Sequence, residues 1–294
     1  MSLTKNQIYV KHERRRAKAL LGLYGTGEDG DATLGSTTLT RDMYYNSLTV
    51  NAGATIATGG FRIFSKQFVR FGAGCVLDNS GYRGDVVDGL SPTGGGMGAP
   101  QTTYLTTVGM VRGGGDGGGD TADGESISGL GGWGGGGAFS LMAPGGAGGH
   151  TTVAASAGGV RYQHNPFMGV TMSGPAITLK WGGGAGGGGG GGGGGVEAYT
   201  GGNGGGGGGV IIIACPAIVG PGTIRVKGGD GTDGSDVMLA GGGGGGGGGA
   251  IIIVTENEVD AQVTYDVSGG TGASGPDAPA YNGESGNVYI FRTR

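Results

Sequence analysis

The stretch GGGGGGGGGAIIIV, residues 241–254, sets nine glycines directly against four strong strand formers. GGGGGGVIIIAC, residues 204–215, does nearly the same about forty residues earlier. Glycine loses more backbone freedom on folding than any other residue, and fixing one backbone costs ~1–2 kcal/mol. With no side chain to bury, such a tract orders only through its amides and carbonyls. An extended threefold helix of the polyproline II kind points both groups outward and rises ~3.1 Å per residue. Each hydrogen bond returns only ~0.5–1.5 kcal/mol net, so an isolated tract gains too little and a bundle of five or more orders cooperatively. Glycine accounts for 82 of the 294 residues, against a usual share of about 7%, and is gathered into at least six tracts. The count predicts a bundle of polyglycine II helices, in which the tract at residues 186–195 would span roughly 31 Å. Collagen is excluded, because no Gly-X-Y period runs through the chain and there are only 9 prolines.

From residue 32 the pattern has period two. TTLTRDMYYNSLTVNAGATIATGGFRIFSKQFVRFGAGCVLDNSG gives four or five short strands separated by Gly or Asn turns. This section rhymes with the C-terminal end. FRIFSKQFVRFGAGCVLDNSG lines up with IIIACPAIVGPGTIRVKGGDG and with IIIVTENEVDAQVTYDVSGG, and NVYIFRTR is a partial fourth copy. Short strands at regular spacing, repeating in this way, fit strands stacked on one another. The predicted fold class is mainly β, with short parallel β-solenoid-like strands, a bundle of polyglycine II helices and a short N-terminal helix. The expected organisation is an attachment arm over residues 1–30, a strand-rich module over residues 31–90, and the glycine-rich bundle over residues 91–294.

Charge is uneven within a formal total of −4. Residues 1–18 carry Lys5, Lys11, Arg14, Arg15, Arg16 and Lys18 against Glu13 alone, for +5, which leaves −9 on the rest. So acidic a body is a poor binder of nucleic acid. NQIYVKHERRRAKALL reads as a short helix with a basic face, ended by Gly22, Gly25 and Gly27. Lys11, Arg14, Arg15, Arg16 and Lys18 are the candidate docking residues of this arm. Cys75 and Cys215 lie in apolar strand-like runs and read as buried free thiols. MSLTKNQIYV lacks the apolar core of a signal peptide, which predicts cytoplasmic synthesis without an export signal.

Catalytic signatures are absent: neither a phosphate loop nor a nucleophile elbow occurs, and His12, His150 and His164 are scattered. GGDGTDGSD, residues 228–236, resembles a nonapeptide calcium repeat but occurs once and has Ser235 at the apolar position. A plain turn is therefore the leading reading, with Asp230, Asp233 and Asp236 as weak calcium candidates. No other cofactor is expected, and no enzyme. The aromatic residues outside the strands carry more weight. Tyr104, Trp133, Tyr162, Phe167, Tyr199 and Tyr281, together with His164, lie in or beside the excursions between tracts. Aromatics on exposed loops suit stacking on sugar rings or packing on a protein surface.

TTLTRDMYYNSLTVNAGATIATGGFRIF, followed by tracts abutting VIII and AIII, resembles glycine-rich virion proteins of tailed bacteriophages. The glycine-rich part is similar in style to the adhesins at the tips of T-even-type long tail fibres, which carry a sandwich of polyglycine II helices with variable, receptor-contacting loops. The resemblance covers roughly residue 37 to the C-terminus and rests on tract layout. It implies a virion-surface structural protein. Its arm would bind other virion proteins, and its loops would bind a host cell-surface protein or polysaccharide. Analogy with projecting phage proteins adds a homotrimer. The alternative it leaves is a capsid or tail decoration or cement protein. An enzyme acting on surface polysaccharide is a distant third.

Overall fold

The computed structural model describes residues 22–84, 203–233, 242–274 and 280–293 in full, and the backbone of residues 168–173 and 176–181. Within these the protein is mostly β, with parallel sheets and almost no helix: only Gly22 and Leu23 are helical. The first strands are β1 (Asp31–Leu34), β2 (Thr37–Thr38), β3 (Met43–Tyr45), β4 (Ser47–Val50), β5 (Thr55–Ala57), β6 (Ile63–Ser65), β7 (Val69–Phe71) and β8 (Cys75–Asp78). An antiparallel pair follows, β9 (Met168–Ser173) and β10 (Ala176–Trp181). The remainder are β11 (Val210–Ala214), β12 (Ile218–Val219), β13 (Gly222–Arg225), β14 (Ala250–Thr255), β15 (Thr264–Asp266) and β16 (Asn287–Arg292).

Apart from the β9–β10 pair, the strands form three parallel sheets that the chain visits in rotation. Their orders are β1-β4-β7-β12, β2-β5-β8-β13-β15 and β3-β6-β11-β14-β16. The rotation explains why the sequence repeat stops at the strands. Partners in a sheet must match, whereas the links between sheets need only reach. FRIF and IIIA meet as aligned by the repeat, with Ile213 opposite Ile63, and Ile213 lies opposite Ile253, which lies opposite Ile290. The expected boundary at residue 90 falls between strands that pair, since β8 adjoins β13 and β6 adjoins β11.

The alternation along each strand sends Leu48, Ile56, Val69, Leu77, Ile211, Ile213, Ile224 and Ile251 into one core between the sheets. Burying each such side chain stabilises by ~1.5–3 kcal/mol. Cys75 and Cys215 are buried here as free thiols, as the sequence predicts. Burial pushes the Cys215 thiol up to about 12. At the β3 edge of the third sheet, Asp29 takes up both backbone groups of Tyr44. Its amide donates to the Tyr44 carbonyl at 3.0 Å, and its carboxylate accepts the Tyr44 amide at 2.6 Å and the Arg41 guanidinium.

Charged pairs also tie strands together on the outside. Arg225 of β13 donates to Asp78 of β8 at 2.8 Å; with Arg225 well exposed, solvent screening limits the pair to about 1 kcal/mol or less. Arg41 above all, with the Tyr44 amide, overcomes desolvation and holds the Asp29 carboxyl below the usual range. Burial opposes ionisation of Asp78, but Arg225 and Ser80 together outweigh it. Both carboxyls are depressed on folding, so their contribution is present above the unfolded value of about 3.9 and is lost as pH falls through the lower folded values. The thermal midpoint is therefore expected to stay level from pH 8 to 5 and to drop below about pH 4. Scans of an Asp29→Asn/Asp78→Asn variant should show a shallower acid limb; an unchanged limb would assign acid unfolding to other groups.

In each of the last three passes the link from the second sheet to the third expands into a glycine-rich outgoing and returning pair. Residues 79–84, 226–232 and 267–274 lead out, and residues 203–209, 242–249 and 280–286 lead back. Hydrogen bonds knit all six. Gly243, Gly246 and Gly249 donate to Thr232, Gly229 and Val226 of their own outgoing segment, while Gly245 and Gly248 donate to Tyr281 and Glu284 of the next returning one. Between outgoing segments, Gly81 and Gly84 donate to Lys227 and Asp230, and Gly228 and Gly231 donate to Ser268 and Thr271. Donors to any one neighbour recur every third residue.

That recurrence explains why glycine is required. A Cβ on Gly245 or Gly270 would fall inside contact with the carbonyl oxygen of Gly270 or Gly229 respectively, far below the 3.0 Å that real Cβ atoms respect. One row of outgoing positions carries side chains throughout: Ser80 and Arg83, then Lys227, Asp230 and Asp233, then Ser268, Thr271 and Ser274. These complete the amide accounting. Ser80 Oγ accepts the Lys227 amide at 3.1 Å, Asp230 the Thr271 amide at 2.7 Å, and Asp233 the Ser274 amide at 2.9 Å. Buried backbone donors are seldom left unpaired, and here short side chains supply what a neighbouring tract does not.

Candidate functional site

One end of the six-segment array adjoins the strands, where Gly209, Gly249 and Gly286 donate to Asn79, Val226 and Val267. The far end is tied by Thr232 donating to Asn203, Gly243 to Thr232, Ala273 to Gly243 and Ala280 to Ala273, at 2.9–3.0 Å. All three excursions therefore leave from and return to this far end: residues 85–202 between Gly84 and Asn203, residues 234–241, and residues 275–279. Three links of different length thus share one end of a backbone-bonded scaffold.

Tyr281 stands at this end and is 69% exposed. Its carbonyl is held by the Gly245 amide at 3.0 Å, and neighbouring Asn282 accepts the Gly272 amide at 2.8 Å. The backbone beneath the ring is thus fixed while the ring faces solvent. Such a preorganised aromatic contributes contact area at little entropic cost on binding. Tyr104, Trp133, Tyr162, His164, Phe167 and Tyr199 lie outside the described residues. The excursion that contains them begins and ends at the same place. The docking candidates Lys11, Arg14, Arg15, Arg16 and Lys18 also lie outside the described residues.

Asp230 and Asp233 are brought onto one row of an outgoing segment; Asp236 lies outside the described residues. Their three-residue spacing places both carboxylates on one side of a segment whose hydrogen bonds to a given neighbour recur every third residue. Asp230 also holds Lys227 at 3.0 Å. Burial works against its ionisation, but the Thr271 amide and the Lys227 ammonium outweigh that and keep its carboxyl below the usual range. Among the described residues no group of three or more potential ligands gathers for a metal ion. Adding millimolar calcium, or a chelator, is expected to leave the thermal midpoint unchanged; a calcium-dependent rise would return these carboxylates to metal binding.

Two exposed residues escape the sequence reading. Tyr82, 40% exposed, sits in a segment that reads as a turn ending a strand, and Ile290, 42% exposed, lies in a strand whose pattern matches its buried copies. Only the edge position of β16 distinguishes Ile290 from Ile213, and a sequence does not state which repeat comes last in a sheet. No family model, curated protein or solved structure matches the chain.

Proposed function

We propose that this chain is a structural protein of a bacteriophage virion, a tail-fibre or adhesin component that presents loops to a receptor on the host surface. The observation that carries the reading is the common exit of all three excursions at the far end of the glycine array, with Tyr281 exposed beside them. Two finer structural statements belong with it. The rotation of the chain through three parallel sheets is read as a short solenoid. The every-third-residue bonding of the six segments is read as polyglycine II helices, whose threefold symmetry gives this recurrence. In this reading the strands are the stalk, the array is the spacer and the loops are the contact.

Purified protein is expected to bind host cells and to compete with infection. Tyr281→Ala should weaken binding by about tenfold, as loss of an exposed aromatic contact would. Its thermal midpoint should not move, because the ring is exposed. Protein that neither binds nor competes would end the adhesin reading. Recovery on particles in a copy number matching capsid symmetry would favour a decoration or cement role instead.

A further inference from the structure

The three sheets end on the same side, at β12, β15 and β16. Of these edges β12 has two residues and β15 three, whereas β16 has six, NVYIFR. Asn287 donates to Gly249 at 3.1 Å, and Thr293 to Thr255 at 3.0 Å. Successive residues of a strand bond to opposite sides, so the amides and carbonyls of Val288, Ile290 and Arg292 point away from β14. No group among the described residues meets them. The side chains of this edge continue the core as well. Val288 and Ile290 stand opposite Ile251 and Ile253, and Tyr265 of β15 stands opposite Ile224. Yet Val288 and Tyr265 are only half-buried, and Ile290 is the one large aliphatic side chain exposed among the described residues. Folded proteins guard long edges with proline, a bulge, a charge or a covering segment, and residues 287–291 carry none of these.

We propose that β16 is an interface between two copies of this chain, paired tail to tail about a twofold axis through Ile290. The other end of the body excludes head-to-tail stacking. There β3 begins the same sheet, and Asp29 already engages both the amide and the carbonyl of Tyr44, so no further strand can add. A twofold axis perpendicular to the sheet sets β16 antiparallel to its copy and keeps core-facing residues with core-facing ones. The register then follows from the free backbone groups. Only with Ile290 opposite the second copy's Ile290 do all three outward-bonding residues find partners within the strand, Val288 taking the second copy's Arg292 and Arg292 its Val288. Moving the centre to Tyr289 would bring in Gly286, whose amide is already given to Val267. The side chains agree. On the outer face Tyr289 lies across from the second copy's Phe291, extending the stack these two rings form within one chain at 6.5 Å between centroids. Cross-strand apolar and aromatic pairs are what stabilise adjoining strands. On the core side, Val288, Ile290 and Tyr265 are covered as the two core ends close on each other. One strand and one rung make a small interface, so pairs are expected at about 100 µM and single chains at about 1 µM. Each pair carries two glycine arrays, whatever their excursions bind.

Sedimentation equilibrium of the full chain provides the test. At about 100 µM the mass is expected to approach twice that of one chain, and at about 1 µM to fall to the single-chain value. Ile290→Lys, which sets two like charges on the axis, should hold the single-chain mass at both concentrations. Because that change touches the end of the core, a second variant reads the register without adding charge. Ile290→Cys sets identical residues about 5.5 Å apart between Cα atoms, within disulfide reach. Oxidation in air at the higher concentration should therefore link two chains at least tenfold faster than with Thr264→Cys, an exposed position on β15. Cys75 and Cys215 are buried and do not compete. A single-chain or threefold mass at the higher concentration, or equal linking of the two cysteine variants, would overturn the proposal. Undiminished pairing of Ile290→Lys would overturn it too, by placing the contact elsewhere.

Discussion

Replacing Gly245 with valine is expected to lower stability by about 3 kcal/mol or more, a fall in the thermal midpoint of roughly 6 °C or more. The side chain would point at Gly270 and Gly283, with the Gly283 amide nitrogen 3.0 Å from its Cβ. Those neighbours are backbone, so no rotamer change relieves the contact. The segment can only separate from its partners, and the Gly245 hydrogen bond to Tyr281 would be lost with it. Ser274→Ala is the control. It lies in the same array but at an exposed position, and its bond to Asp233 is made by the backbone amide. It should fall within about ±0.5 kcal/mol. A midpoint unmoved by Gly245→Val would mean that the tract is a loose linker and would remove the basis for a hydrogen-bonded array.

The second large effect belongs to the isoleucine row of the third sheet. Ile63, Ile213, Ile253 and Ile290 stand opposite one another on successive strands. Ile213→Ala is expected to cost about 2–5 kcal/mol, because Ile213 is fully buried with packed strands on both sides and the cavity cannot collapse. Ile290→Ala, at the end of the same row and 42% exposed, should cost less than about 1 kcal/mol. Denaturant unfolding of the two variants separates them by midpoint. Comparable losses would show that β16 is not an edge strand in the folded protein.

These two predictions draw on different kinds of legibility. The register of Ile63, Ile213 and Ile253 was visible in the sequence, because FRIF, IIIA and IIIV repeat and stacked partners must match side chain for side chain; Ile290 joins the row through VYIF, residues 288–291. Which residue of the row is exposed was not visible, since that depends on position in the sheet order. The glycine tracts likewise implied close backbone packing, but not its partners. Carbonyls carry no side-chain identity, so nothing in GGGGGGGGG says that Gly243 faces Thr232 while Gly245 faces Tyr281. GGDGTDGSD resembled a calcium nonapeptide through its glycines and Asp233, whereas the structure has Asp230 and Asp233 accept the Thr271 and Ser274 amides, 41 residues later, a pairing that no local motif states.

Sequence alone therefore determined the material of this protein. Alternation made strands, repetition made them stack in parallel, and tracts without Cβ atoms demanded neighbours at backbone distance. The tertiary structure decided the rest. The strand repeats wind through three sheets, so the glycine segments emerge side by side from the same corner of successive passes. That juxtaposition brings six tracts distant in sequence within hydrogen-bonding range, which is the one condition under which polyglycine overcomes its conformational entropy.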